Sequence, residues 1–437
     1  MKPLFIISCP IDTYSGYGSR SRDLVKAIIE LNKYEVKILP QRWGNTSWGF
    51  IDDHLEEWGF LSPYLLPAGN KIPKQPEIWA QITVPNEFQP IGKYNIGFTA
   101  GIETTICDAT WIEGLNRMDL NIVSSNHAKE TFERSQFEKR DKNTNQLISN
   151  IKLEKPIEVL FEGADVTKYF PSTDKNSINL DEIKESFAYL FVGHWLPGIL
   201  GEDRKNVGLL VKNFYETFKN TKNPPALILK TTNGIISYID REQVLDKIQA
   251  IKSTVQADTL PNVYLLHGDF TDKEMNELYN HKKVKAMVNL TKGEGFGRPL
   301  LEFSLTKKPI IATNWSGHID FLDPKFTTLV KGTLKEVHDS AVVKNMILKE
   351  SQWFSPNITE ISKVLVDVYS NYKAHEKKAM LQYHKSKNNF SYDNMKELLS
   401  VLFEENIPDI PMEVKLNLPK LKKIELPKLK KLTNVPG

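Results

Sequence analysis

The chain carries two successive series of short apolar runs, and this rhythm limits the folds open to it more than any other feature. In the first series the runs fall at residues 3–9, 34–39, 77–84, 94–99, 120–124 and 157–161. They are rich in Ile, Val, Phe and Tyr, and several are almost continuously apolar, as parallel strands covered on both faces must be. Between the first two, Leu24, Val25, Ile28 and Ile29 recur at helical spacing. In the second series the runs fall at 189–192, 226–230, 263–267, 286–290 and 309–312, with helices predicted at 207–219, 241–251 and 272–279. Strands alternating with helices over such lengths predict an α/β chain with parallel sheets and helical crossovers. The polar segment 172–181 separates the series and reads as a linker. From 351 to about 405 the pattern is helical, and Pro408, Pro411 and Pro419 then stop regular structure.

With 437 residues, 40% of them hydrophobic, the chain holds enough apolar material for two ordinary cores. No apolar run approaches the roughly 18 residues of a membrane span. The N-terminal run ends too soon for a signal peptide and reads as a buried first strand. The two cysteines, Cys9 and Cys107, have neither metal-ligand spacing nor partners for a disulfide framework. Reduced thiols in a cytoplasmic, reducing compartment are the expectation.

The net charge of +3 is concentrated at one end. Residues 411–437 carry seven lysines against two glutamates, a net of +5, which leaves about −2 on the rest. The body therefore has no general basic character that would point to nucleic acid. The tail repeats Leu-Pro-Lys-Leu-Lys-Lys at 418–423 and 426–431. It is expected to be extended when alone, and either a solubilising end or a docking element for an anionic membrane or a nucleic acid.

The densest chemistry follows the run 286–290: Lys292-Gly293-Glu294-Gly295-Phe296-Gly297-Arg298-Pro299-Leu300-Leu301-Glu302. Proline suits a first helical position, so a helix is expected from Pro299, with Glu302 on its first turn. Glycines admit a ligand close to the backbone, and a helix start attracts anions. Glu294 and Glu302 can accept hydrogen bonds from sugar hydroxyls. Taken alone, Gly-Glu-Gly is better explained by a turn before a solvated helix. In the first series, Tyr14-Ser15-Gly16-Tyr17-Gly18 reads by itself as a plain tight turn, or else as a glycine loop opening a helix, the arrangement a diphosphate needs. Glu103 and Asp108 are candidate bases for an acceptor hydroxyl, with helix caps or surface carboxylates as the plain alternative. His127 and His318 read first as caps or core hydrogen-bond partners.

The segment 292–322 resembles the signature of retaining glycosyltransferases of family four, in which two Glu stand either side of seven residues. Pro309-Ile310-Ile311-Ala312, Trp315-Ser316-Gly317-His318 and Phe321-Leu322 extend the likeness. Asp203-Arg204-Lys205-Asn206 resembles the basic motif of that family, and Leu265-Leu266-His267-Gly268 its region near the nucleotide base. The resemblance runs to about residue 405 and leaves out the tail. It implies a GT-B fold: two Rossmann-like domains facing across a cleft. The expected boundaries are 1–180 for the acceptor-side domain, 181–370 for the nucleotide-sugar domain, 371–405 for helices crossing back, and 406–437 for the tail. It implies that Glu294 meets donor-sugar hydroxyls and that Glu302 holds the ribose. Arg204 and Lys205 would neutralise the diphosphate, with Gly16, Gly18, Gly295, Phe296 and Gly297 completing the donor site. Many members place a basic residue after the glycine ending their first C-domain strand; here His194 follows Gly193, which leaves that role to Arg204.

The implied reaction is transfer of a hexose or similar sugar from a UDP- or GDP-linked donor to a hydroxyl of a glycan, lipid, protein or modified nucleic-acid base, with retention. No Asp-x-Asp pair occurs in the chain, so no metal and no cofactor beyond the donor is expected. A sugar-nucleotide epimerase on the same fold and a non-enzymatic binding or assembly protein are the alternatives.

Overall fold

A computed structural model of the chain describes residues 2–67, 72, 74–173, 178–234 and 236–410. The Leu-Pro-Lys-Leu-Lys-Lys repeats, and the docking role considered for them, lie outside the described residues. The first part runs β1 (Leu4–Cys9), α1 (Gly16–Glu30), β2 (Glu35–Pro40), α2 (Phe50–Asp53), α3 (Leu55–Trp58), β3 (Ile78–Ile82), β4 (Tyr94–Thr99), α4 (Ala109–Leu115), β5 (Leu120–Val123), α5 (Asn126–Arg134), β6 (Phe137–Arg140), β7 (Leu147–Ile151) and β8 (Ile157–Val159). The second runs β9 (Ala188–Val192), α6 (Val207–Phe218), β10 (Ala226–Lys230), α7 (Tyr238–Ser253), β11 (Val263–Leu266), α8 (Asp272–Asn280), β12 (Val284–Asn289), α9 (Arg298–Ser304), β13 (Ile310–Thr313), β14 (Thr328–Val330), β15 (Gly332–Glu336) and β16 (Gln352–Pro356). It closes with α10 (Ile358–Ser370), α11 (Tyr372–Asn389) and α12 (Tyr392–Asn406).

Two parallel six-stranded sheets result, in the orders β2-β1-β3-β4-β5-β8 and β11-β10-β9-β12-β13-β14. The apolar runs dictate this. Every residue of β1, β3 and β9 is buried, which requires a covering layer on both faces and hence helical crossovers. Cutting Phe191, fully buried in β9, to alanine would cost about 3–5 kcal/mol. The order of each sheet reverses once, between β1 and β3 in the first and between β9 and β12 in the second. At such a reversal the loops leaving two neighbouring strands part to opposite faces, and a crevice opens at their carboxyl ends.

The helices follow local signals. Ser15 caps α1 by accepting a hydrogen bond from the Gly18 N–H at 2.9 Å, and Leu24, Val25, Ala27 and Ile28 are buried on the first core. Thr271 and Glu274 cap α8 reciprocally. At the end of the chain α12 returns to the first sheet: Tyr392, Met395, Leu399, Leu402 and Phe403 join the core of β1, β2 and α1. The Tyr94 hydroxyl donates to the Asn406 carbonyl at 2.8 Å.

The structure departs from the expected pattern in two places. The segment after Ser351 is not helical at once. Residues 352–356 form β16, antiparallel to β15, because Trp353 is buried between the hairpin and the second domain; α10 starts only at Ile358, capped by Asn357. The hairpins β6–β7 and β15–β16 and the short edge strand β14 were not anticipated, since none is an almost continuous apolar run.

Candidate active site

Both sheet reversals open into one cleft of about 670 Å³ between the two domains. Its floor is the loop 290–297 after β12. The loop is sewn to the turn 316–317: the Glu294 N–H donates to Ser316 Oγ at 2.9 Å and the Gly317 N–H to the Glu294 carbonyl at 2.9 Å. Glu294 is thereby held with its buried carboxylate facing the start of α6. Lys205 Nζ donates to Glu294 Oε1 at 2.5 Å, and Arg204 lies 3.5 Å from Oε2. Burial alone would raise this carboxyl, but Lys205 and Arg204 outweigh it and hold it at about 2. Arg204 also donates to the Gly293 carbonyl at 2.8 Å.

Glu103 of the first domain joins this cluster across the cleft, 3.5 Å from Arg204. The domains touch here through backbone. A Cβ on Gly295 would stand 2.5 Å from the Ala100 carbonyl oxygen, inside any real contact distance. The closeness permitted by this glycine is thus to the facing loop of the protein itself. Phe296 lines the cleft with its ring packed 5.0 Å from Phe321. Gly297 caps α9 at φ 99°, a left-handed conformation costly for other residues.

The remaining expected residues fall less simply. The expected helix begins at Arg298, one residue before Pro299, so Glu302 starts its second turn rather than lying on the first. It does not face the cleft directly. Arg298 Nε donates to Glu302 Oε1 at 2.9 Å, the Tyr279 hydroxyl reaches Oε2 at 3.3 Å, and Arg298 bridges onward to Asp23 of α1. Burial pushes the Glu302 carboxyl up to about 7 despite Arg298. Gly16 and Gly18 belong to the first turn of α1 instead of a loop before it. Gly16 lines the cleft. Gly18 does not; it is packed against Thr13, whose carbonyl oxygen would stand 2.3 Å from an added Cβ.

Asp108 caps α4 by accepting from the Thr110 N–H at 2.9 Å, which leaves Glu103 as the candidate base that lines the cleft. His318 is buried and bonded through Nε2 to the Thr313 carbonyl at 2.6 Å. Burial holds His127 down at about 4, with His318 adding to the effect. Both rings are therefore neutral near pH 7 and serve the core. His194 contacts Thr232 Oγ1 at 3.0 Å and is lowered by burial and by Lys205, Lys230 and Arg204.

Several cleft residues were given no role from sequence. Arg298 sat unremarked inside the quoted motif. The Tyr17 and Trp43 rings stack at 3.9 Å on the first-domain wall, and no sequence signal pairs them. Val342, Val343 and Met346, between β15 and β16, form an exposed apolar lip.

Comparison with solved structures places this architecture. The chain is similar to a glycosyltransferase from Rickettsia africae ESF-5, with TM-score 0.61 and 13% identity over 93% of this chain and 99% of that one. It is also similar to Anabaena Alr3699/HepE in complex with UDP and glucose, with TM-score 0.62 and 11% identity over 92% of this chain and 100% of that one. Sucrose-phosphate synthase from Thermosynechococcus elongatus matches with TM-score 0.60 and 11% identity over 93% and 99%. No protein-family model matches the chain, and no curated protein does. The fold is GT-B: two Rossmann-like domains with a cleft between them. Among the described residues no helix is long and apolar enough to cross a membrane.

Proposed function

We propose that the protein is a nucleotide-sugar-dependent glycosyltransferase of the retaining, family-four type, acting in the cytoplasm. One observation carries the reading: an ionised, buried Glu294 locked by Lys205 and Arg204 at the sheet reversal of the second domain, with Glu103 of the first domain on the same arginine. The structural neighbours support it, since two are named as a glycosyltransferase and a sucrose-phosphate synthase and the third holds UDP and glucose.

The chemistry follows from the charges. Glu294 accepts hydrogen bonds from hydroxyls of the donor sugar and fixes its orientation. The bond between the sugar carbon and the diphosphate oxygen breaks, and the leaving nucleoside diphosphate takes the electron pair. Lys205, Arg204 and Arg298 stabilise the charge that develops on it. The acceptor hydroxyl forms the new glycosidic bond and loses its proton, with Glu103 as the nearest carboxylate on the acceptor side. Three cations at the diphosphate position, and the lack of an Asp-x-Asp pair in the sequence, support a reaction without a metal ion. The Tyr17–Trp43 wall and the apolar lip form the acceptor side. Glycans, lipids, proteins and modified nucleic-acid bases all remain acceptor classes for this reading, and the basic residues 411–437 would recruit the enzyme to an anionic membrane or nucleic acid.

The test is release of nucleoside diphosphate from a panel of nucleotide sugars. Turnover of at least one donor, with an axial or equatorial product anomer matching that donor, is expected. Absence of both binding and turnover across UDP-, GDP- and ADP-sugars would overturn the reading.

A further inference from the structure

A nucleotide sugar is a linear molecule: sugar, diphosphate, nucleoside. Along the carboxyl edge of the second sheet, Glu294 follows β12 and Lys205 lies in the connection from β9. A donor with its sugar at Glu294 and its diphosphate at Lys205 therefore points its base toward the ends of β10 and β11, one and two strands further on. Neighbouring strands lie about 4.8 Å apart, so the base falls within side-chain reach of both ends.

Three cleft-lining groups stand there with no assigned role. Lys230 ends β10, and its ammonium lies 5.2 Å from the centroid of the Phe270 ring. Among the described residues it has no hydrogen-bond acceptor and no ion pair. Thr231 follows it, 2% exposed, with its hydroxyl buried and unpartnered. Asp269, just past β11, likewise has no hydrogen-bond partner among the described residues. By contrast, Lys205, Arg204, Arg298, Glu103 and Glu294, also in the cleft lining, are all in ion pairs. The Thr231 hydroxyl is buried, and leaving it unpaired is costly; Asp269 is exposed and Lys230 half-buried, so both charges are open to a ligand in the cleft.

Resting on the glycosyltransferase reading, we infer that Lys230, Thr231 and Asp269 select the base of the donor, and that this base is guanine. A lysine only donates and an ionised carboxylate only accepts. Guanine presents O6 and N7 as acceptors to a lysine. Its adjacent N1–H and N2–H groups match the two oxygens of a carboxylate. Uracil has a single ring N–H flanked by two carbonyls, so a carboxylate accepting from it would set its second oxygen against a carbonyl oxygen. Adenine offers one amino group and no second adjacent donor.

The test is titration calorimetry of the full chain with GDP, UDP and ADP. GDP is expected to bind at least ten-fold more tightly than the other two. Asp269→Asn should weaken GDP about 10- to 100-fold while changing UDP little, so that the GDP-to-UDP ratio falls toward one. Lys230→Met should weaken GDP in the same sense. Circular dichroism and thermal melting of each variant separate loss of recognition from loss of fold, and a ratio that collapses in a folded variant is the supporting result. Tighter binding of UDP or ADP than of GDP, or an equal change in all three on Asp269→Asn, would overturn the guanine assignment and leave the transferase reading intact. Failure of all three nucleotides to bind would overturn both.

Discussion

The two walls of the cleft are built on the same kind of sheet and differ in almost everything else. The wall from the second domain is ionic. Most of its charges stand in loops leaving β9 and β12 and are held in ion pairs, whereas Lys230 and Asp269, at the ends of β10 and β11, are not. The wall from the first domain is mostly aromatic and apolar, with the Tyr17–Trp43 stack, the buried Arg20 and Glu162, and Glu103 paired with Arg204 of the opposite ion cluster. The apolar lip at 342–346 extends this character, although it comes from the second domain. The contrast matches the two halves of a transfer reaction. A diphosphate leaving group needs preorganised charge, whereas an acceptor needs shape and one proton acceptor.

The largest expected effect lies on the ionic wall. Glu294→Ala leaves the buried Lys205 without its ion-pair partner and Arg204 with Glu103 alone. It should cost about 3–5 kcal/mol of stability and roughly two to three orders of magnitude in kcat. Glu103→Gln, on the half-exposed side, should leave the melting temperature nearly unchanged and spare donor hydrolysis, while transfer to an acceptor collapses. Equal behaviour of the two variants in melting and in hydrolysis would break the contrast between the walls.

Lys205→Ala should lose a charge-assisted hydrogen bond to the diphosphate, about 1.5–3 kcal/mol of donor binding, or roughly 10- to 150-fold in Kd. Calorimetry with the nucleoside diphosphate reads this directly. An unchanged Kd would remove Lys205 from the donor site.

A smaller effect separates the two carboxylates of the motif by pH. Burial raises Glu302 to about 7, and the ribose role that the family resemblance implies for it needs the ionised form, which alone accepts from both hydroxyls. Donor affinity should therefore rise several-fold from pH 6 to pH 8, and Glu302→Gln should flatten the profile. The stability signs are opposite. The raised Glu302 contributes stability below its unfolded value, lost as pH rises through about 7; the depressed Glu294 contributes above its unfolded value, lost as pH falls toward about 2. Melting curves from pH 3 to pH 8 of the two Gln variants resolve the pair.

The smallest expected change is none. If Lys205, Arg204 and Arg298 carry the leaving-group charge, EDTA should leave turnover intact. Full loss with EDTA and recovery with Mg²⁺ or Mn²⁺ would transfer that role to a metal ion.

The sequence by itself determined the α/β class and the two sheets, because a strand buried on both faces must be an almost continuous apolar run, and that pattern is local. It also marked Glu294, in a glycine loop just beyond such a run, while Arg204 and Lys205 were marked by the resemblance to a known family. Only the tertiary structure decided their partners. Arg298 lies four residues from Glu302 along α9, yet its bridge to Asp23 joins positions 275 residues apart. Gly16 and Gly18 read alike in sequence, but one faces the cleft and the other fills against Thr13. Lys230 and Asp269 were invisible because a single charge at a strand end is ordinary; they gain meaning when neighbouring strands bring both to one edge. Ion pairing and burial depend on distances across the cleft, and the packing of the two domains sets those distances, whereas local spacing along the chain does not encode them.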